Sequence, residues 1–202
     1  MARVIGELSM SLDGFVATKD DQVGPLFDWY GNGPAETPSA FPATWTFRTS
    51  PAGAQYLQDA IRNVKAMVAG RRLFDVGRWG ENGQPFGTPI FVVTHSAPDG
   101  WPRPDSPLPV TFVTDGVRSA IEQASAVAGE YGWVGVGGPN VIQQCLHAGL
   151  LDEVRINLVP ALLGDGIRYF EHAGPASLER PTVIEGDHVT HLIYRVQKDP
   201  VS

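Results

Sequence analysis

Residues 134–141 read Val-Gly-Val-Gly-Gly-Pro-Asn-Val. Trp133 to Val136 is an apolar run of strand character, and Gly137 and Gly138 break it. Pro139 suits the first position of a helix, because the N–H it lacks is one that a helix start leaves unpaired anyway. Val141, Ile142, Cys145, Leu146 and Leu150 then recur at helical spacing. The glycines let a ligand approach the backbone, and the new helix offers unpaired N–H groups and the positive end of its dipole. The stretch is therefore a candidate phosphate cradle. Its alternative is a tight strand-to-helix turn that binds nothing, and a glycine pair alone does not separate the two.

Working outward, Arg3 to Met10 reads as a strand, Ser11 to Gly14 as a turn, and Phe15 to Ala17 as an extension of that strand. Residues 31–54 are rich in Gly, Pro, Ser, Thr and Ala and carry Phe41, Trp45 and Phe47. They predict a long loop with aromatic anchors, of the kind that covers a site. A helix follows over Gln55 to Val64, a strand over Ala66 to Ala69, and a tight turn into a short helix over Gly70 to Val76. Strands Ile90 to Thr94 and Val110 to Thr114 flank residues 97–109, where five prolines exclude regular helix. Val117 to Ala128 is helical, with Asp115 as its N-cap. After strand 133–136 and helix 140–149 come strand Glu153 to Val159 and an antiparallel closing pair, Thr182 to Glu185 with Thr190 to Val196. Alternating strands and helices predict an α/β fold whose sheet is mostly parallel, covered on both faces, with an antiparallel C-terminal edge.

The 202 residues suit a single domain spanning 1–202. A hydrophobic share of 43% with 18% charged residues is that of a soluble globular chain, and the net charge of -7 opposes a nucleic-acid surface. Cys145 is the sole cysteine and lies on the apolar face of its helix, so it reads as a buried structural thiol in a reducing cytoplasm. No apolar run reaches the ~18 residues of a membrane span, and Met1 to Leu12 reads as a folded strand rather than a signal peptide. His147, His172, His188 and His191 are dispersed and match no ligand spacing, which argues against a zinc site.

In a parallel sheet, ligands gather where loops leave the carboxyl ends of the strands. Three such loops share a chemistry. Gly70-Arg71-Arg72 sets a glycine and two guanidinium groups at a helix start, Thr94-His95-Ser96 follows a buried strand, and Gly137-Gly138 offers bare backbone. Side by side they would form a track for a dinucleotide; singly, the arginines are solvated charges and His95 a loop residue. Two carboxylates are proton-donor candidates: Asp13, at the end of the first strand, whose other reading is an Asx turn, and Asp28, whose other reading is an exposed turn acid. Trp79, Phe41, Trp45 and Tyr30 are candidate walls of an apolar pocket, or core.

Five motifs in order carry a resemblance: Ser11-Leu12-Asp13-Gly14-Phe15-Val16-Ala17, Gly70-Arg71-Arg72-Leu73-Phe74, Gly137-Gly138, Gly149-Leu150-Leu151-Asp152-Glu153, and Pro160-Ala161-Leu162-Leu163-Gly164-Asp165-Gly166. Together they resemble the dihydrofolate reductase-like family, and within it the reductase domain of the bifunctional riboflavin-biosynthesis deaminase/reductase and its stand-alone relatives. The resemblance covers almost the whole chain. It implies a three-layer fold around a mixed sheet of about eight strands, NADPH as hydride donor, and a homodimer. By the same resemblance, Gly70 and Arg71 hold phosphate, and Thr94, His95 and Ser96 lie by the adenosine 2′-phosphate. Gly137, Gly138, Pro139, Asn140 and Val141 form the pyrophosphate turn, while Val16 and Ala17 lie along the nicotinamide.

The substrate side departs from that pattern. Leu73 stands where Thr or Ser is common, Glu7 where riboflavin-pathway reductases carry Lys, and Val136 where they carry Glu. The Asp-Asp-Pro-type segment they place after the phosphate turn is absent from Asp75-Val76-Gly77-Arg78-Trp79. The expectation is an NADPH-dependent reductase of a small heterocyclic or carbonyl-type substrate, neutral or weakly charged, with Glu7, Trp79 and Trp45 at the substrate. The alternative is a non-catalytic nucleotide-binding dimer that kept the fold.

Overall fold

The computed structural model describes residues 2–41, 45–101 and 103–198. Residues 42–44 of the long loop and Pro102 of the proline-rich one lie outside them. The elements run β1 (Arg3–Ser11), β2 (Phe15–Ala17), a 3₁₀ segment (Gly24–Tyr30), β3 (Ala35–Pro38), β4 (Thr46–Thr49) and α1 (Pro51–Asn63). Then come β5 (Val64–Gly70), α2 (Arg71–Val76), α3 (Trp79–Asn82), β6 (Ile90–Val93), β7 (Val110–Val113), α4 (Val117–Ala128), β8 (Trp133–Gly137) and α5 (Pro139–His147). β9 (Glu153–Val159), β10 (Ile167–Arg168), β11 (Thr182–Gly186) and β12 (Val189–Arg195) complete the chain.

Eight strands form one sheet in the order β11-β12-β9-β1-β8-β5-β6-β7. From β9 to β7 every pair is parallel, and β12 and β11 add the antiparallel edge. This is the mixed, mostly parallel sheet that the alternation of elements predicts. α4 and α5 cover one face, over β5, β6, β8 and β1. The 3₁₀ segment, α1 and α2 cover the other. On the first face Val4, Val68, Val134, Ile142, Leu151, Val154 and Ile156 build the main core. α5 packs close there because Gly6 has no side chain: a Cβ on it would stand 2.9 Å from Ile142 Cγ2.

Local differences from the sequence reading have identifiable causes. The long loop is not structureless, since β3 and β4 pair as an antiparallel hairpin from Ala35↔Thr49 to Pro38↔Thr46. α1 begins at Pro51 rather than Gln55, because Ser50 caps it through a 3.1 Å bond from Gly53 N and Pro51 occupies the first turn. Such a cap contributes about 1 kcal/mol. Asp115 does not cap α4. Gly116, at φ +101, is the N-cap, without a side-chain bond. Phe15–Ala17 leaves the main sheet and pairs with β10, a two-residue strand too short to show periodicity.

Candidate functional site

β8 and β5 are adjacent, and each ends in a glycine from which a helix departs. Gly138, at φ +89 and ψ 126, is the N-cap of α5 with Pro139 in its first turn. A side chain there would face a strained backbone, which is why glycine occupies it. A Cβ on Gly138 would lie 3.7 Å from Gly70 N, so the two turns abut. Gly137 Cα is likewise tied to tight packing, as a Cβ there would stand 2.7 Å from Leu73 Cδ2. Leu73 thus covers Gly137 where a hydroxyl residue is common in the resembled family. Val141 is buried against Gly70, and Asn140 is exposed at the helix start, its Oδ1 accepting from Gln144 Nε2 at 2.5 Å. The first-turn amides of Asn140 and Val141 have no intrahelical carbonyl to pair with.

β6 and β7 continue the line of strand ends. Thr94 N donates to Val113 O, and Thr94 Oγ1 donates to Ser96 O at 3.0 Å, which curls the loop so that His95 and Ser96 are exposed. The arginines at the first turn have partners within the chain. Arg71 Nε pairs with Asp75 at 2.7 Å, and its guanidinium lies over Phe112. Arg72 Nε pairs with Asp21 at 2.7 Å. Exposed pairs of this sort contribute about 0–1 kcal/mol, small enough for a phosphate to displace. Val16 and Ala17 are buried, and a Cβ on Gly166 would collide with Ala17 O, so the turn at Gly166 packs directly on this strand.

Glu7 lies on the same line. Gly6 pairs with Val136, so continuing the parallel register sets Glu7 beside Gly137, about 4.8 Å away between backbones. The two also share a face, because alternate residues of β1 and β8 turn toward α5 and α4. On that face β1 presents Glu7, Ser9 and Ser11, β9 presents Arg155 and Asn157, and β12 presents His191. Asn157 Nδ2 donates to Glu7 Oε1 at 3.0 Å, and His191 Nδ1 meets Asn157 Oδ1 at 2.7 Å. Because the amide nitrogen faces a carboxylate, Oδ1 is the acceptor toward His191, and the imidazole carries its proton on Nδ1. Its Nε2 is buried with no partner among the described residues. Burial pushes this imidazole down to about 4, so it is neutral near pH 7.

Arg155, buried beside these groups, gives its hydrogen bonds to Glu153 Oε2 at 2.9 and 2.7 Å and lies over Trp133 at 4.5 Å. Burial opposes its charge, and the carboxylate of Glu7, followed by Tyr56 and Glu153, more than restores it. Tyr56 stacks on His191 with ring centroids 4.1 Å apart, and its hydroxyl is held protonated by burial and by the charge of Glu7. Trp29, 1% exposed, donates from Nε1 to Ser9 Oγ at 3.1 Å and stacks on Tyr30 at 3.9 Å. Tyr30 in turn meets Phe47.

The two proton-donor candidates are placed differently. Asp13 accepts from Ser11 Oγ at 2.6 Å, from Leu163 N at 3.2 Å and from Gly164 N at 2.7 Å. These bonds hold its carboxyl below the usual range, the Ser11 hydroxyl first among them. An acid so engaged ties the 160–166 loop to β1 and holds no proton to give. Asp28 is exposed at the rim of the 3₁₀ segment. Trp45 is half exposed at a cleft of about 470 Å³ with Phe41 and Gln84, and Trp79 packs with Phe74 near Gly137. The charge of Glu7 acts on the buried hydroxyls of Tyr30 and Tyr56, whereas Trp45 lines a separate cleft. Ser9, Tyr56, Arg155, Asn157 and His191 share this candidate face with Glu7, and the motifs did not reveal them. One signal was present: in a buried central strand, Glu7, Ser9 and Ser11 alternate with Gly6, Leu8 and Met10, which marks one polar face. Among the described residues no group of three or more His, Cys, Asp or Glu is placed to hold a metal, and no helix is long and apolar enough to cross a membrane.

The architecture is that of the dihydrofolate reductase-like fold. Within it, residues 134–195 match the family of the RibD C-terminal domain, in accord with the resemblance read from the sequence. A comparison with curated protein sequences gives no match. Among solved structures the chain is similar to a Shewanella sp. PV-4 protein assigned to riboflavin biosynthesis, with 23% identity over 98% of this chain and 100% of that one and a TM-score of 0.65. It is also similar to dihydrofolate reductase from Enterococcus faecalis, with 13% identity over 97% of each chain and a TM-score of 0.56. A third is the diaminohydroxyphosphoribosylaminopyrimidine deaminase/5-amino-6-(5-phosphoribosylamino)uracil reductase of Thermotoga maritima, with 12% identity over 97% of this chain and 57% of that one and a TM-score of 0.62. At these identities the solved structures establish the shared fold.

Proposed function

We propose that this chain is an NADPH-dependent reductase that delivers a hydride to a small heterocyclic or carbonyl-type substrate. One observation carries the reading: the glycine turns at Gly70 and Gly137–Gly138 abut at the carboxyl ends of adjacent parallel strands, with Glu7 in register beside them. NADPH supplies the hydride when bound, so the chain needs geometry more than a nucleophile. Gly138 and the free first-turn amides of α5 fit the pyrophosphate. Arg71, Arg72 and the Thr94-His95-Ser96 loop are the groups for the 2′-phosphate. The Enterococcus faecalis enzyme of this fold is complexed with NADP(H), which supports the choice of cofactor.

The face beyond the turns is where the substrate would sit, and it departs from the phosphate-binding pattern of the riboflavin relatives. An anion beside Glu7 meets repulsion instead of a lysine. Titration with NADPH and NADH tests the cofactor reading: preference for NADPH is expected, and equal affinity removes the 2′-phosphate assignment. Oxidation of NADPH across neutral heterocycles, carbonyl compounds, dihydrofolate and the phosphorylated pyrimidine then ranks the substrate classes. The second reading, a nucleotide-binding protein without catalysis, has one observation in its favour. Trp29 is buried across Ser9, on the face the substrate needs. NADPH binding without turnover of any compound in that set would select it.

A further inference from the structure

Arg71 and Arg72 stand side by side in the first turn of α2, and they are held differently. Arg71 pairs within its own helix, with Asp75 four residues on. Arg72 reaches across to the segment that follows β2: its Nε lies 2.7 Å from Asp21 Oδ1, and its Nη2 donates to Lys19 O at 3.2 Å. That segment is built to present the carboxylate. Thr18 N donates to Gln22 O at 2.9 Å, Asp21 N to Thr18 O at 3.1 Å and Gln22 N to Thr18 Oγ1 at 3.1 Å, which closes residues 18–22 into a turn. Asp21 sits in it at φ +62, a left-handed conformation that Asp and Asn accept more readily than most side chains. Lys19 pairs with Asp165, so the turn has a second anchor independent of Arg72. The Asp21 side chain is 27% exposed and that of Arg72 64%, which leaves their pair open to a competing anion.

We propose that Asp21 is an internal competitor for the cofactor: its carboxylate occupies Arg72 until a phosphate group of the dinucleotide displaces it, and it thereby sets the affinity for that dinucleotide. This rests on the reductase reading, in which Arg72 is a phosphate contact. Displacement is favoured because a phosphate brings more negative charge and more acceptor oxygens to a guanidinium than a carboxylate does. The exposed pair it replaces is weak. The 2′-phosphate and the pyrophosphate offer the same chemistry, and NADPH and NADH separate them, since only NADPH carries the first.

Titrations of the full chain with NADPH and with NADH, read by nicotinamide fluorescence, test the proposal in the native protein, Asp21→Asn, Arg72→Gln and the double variant. Asp21→Asn keeps the shape and the backbone preference and removes the charge. It should bind NADPH about fivefold more tightly, a difference of roughly 1 kcal/mol. A gain for NADPH alone assigns Arg72 to the 2′-phosphate, and a gain for both cofactors assigns it to the pyrophosphate. Arg72→Gln should weaken binding, and adding Asp21→Asn to it should bring no recovery, because no guanidinium is left to release. Asp20→Asn removes the same charge from the neighbouring exposed position, and its NADPH affinity should stay within about twofold of native. Asp21→Gly, which accepts φ +62 without strain, carries the test if Asp21→Asn does not fold. Unchanged or weaker NADPH binding on loss of the Asp21 carboxylate overturns the proposal and leaves the reductase reading in place. An equal gain in Asp20→Asn, or a gain that persists in the Arg72→Gln background, overturns it too, since either is the mark of a general field and not of competition for Arg72. Failure of the native chain and of Asp21→Asn alike to bind NADPH removes the reductase reading itself, and this proposal with it.

Discussion

Gly138 and Gly70 meet at the carboxyl ends of β8 and β5, where a Cβ on Gly138 would stand 3.7 Å from the amide nitrogen of Gly70. Space alone would admit an alanine. The backbone would not, because Gly138 is at φ +89. Gly138→Ala should therefore cost about 1–3 kcal/mol of stability as well as weaken NADPH binding. At Gly137 the nearest obstacle is the end of a flexible leucine, so Gly137→Ala should be tolerated if Leu73 shifts. Denaturant unfolding and NADPH titration of both variants separate the two effects. Equal stability of Gly138→Ala and the native chain would contradict the strain.

Asp13 links two motifs about 150 residues apart, through the amides of Leu163 and Gly164. Its carboxyl is held below the ordinary value, so the tie is present above the unfolded carboxylate range and lost as pH falls through the folded value. Asp13→Asn should speed amide exchange over 161–166 and lower the melting temperature at neutral pH. The gap from the native chain should close in acid. A loss of hydride-transfer rate with unchanged loop protection would instead make Asp13 part of the chemistry.

His191 carries the opposite requirement, being buried in its neutral form. Its folded value of about 4 lies below the ordinary 6.5, so the native state binds fewer protons than the unfolded one between them. Stability is full above 6.5, falls as the pH drops, and has lost the whole contribution below about 4, some 3 kcal/mol at most. His191→Phe retains an aromatic ring against Tyr56 and removes the titration. Urea unfolding from pH 6.5 to 4 should show a flatter slope for the variant, and parallel slopes would reject the assignment.

Cys145 is fully buried, and burial pushes its thiol up to about 12. A disulfide reagent should fail to label the native protein on the time scale of minutes and label it at once in denaturant. Rapid labelling of the folded chain would mean that α5 opens readily, which its packing against Gly6 argues against.

We propose a homodimer, on the resemblance and on apolar surface that the fold leaves open. Val154, Ile156 and Val159 of the apolar run at 154–163 are buried inside the chain, but Leu162 is 71% exposed and Val183 on the outer strand β11 is 52% exposed. Light scattering should give twice the 21.8 kDa of one chain, and a mass of 21.8 kDa at micromolar concentration would reject the proposal.

What the sequence determined by itself is what depends on neighbours along the chain. The break at Gly137–Gly138, the proline at the start of α5, and the alternating strands and helices are short-range consequences of backbone sterics and hydrophobic period, so the parallel sheet and its glycine turns were legible. β10 was not, because two residues carry no period and Ile167 and Arg168 pair with β2 only through Gly166 passing close to Ala17. The polar line Glu7–Asn157–His191 was not either. Its members are 150 and 34 residues apart, and only the order β12-β9-β1 brings them together. The same holds for Asp13, whose motif was visible while its partners were not. Local geometry is encoded by covalent neighbours. Which titratable groups share a buried face is decided by strand order, a property of the whole sheet.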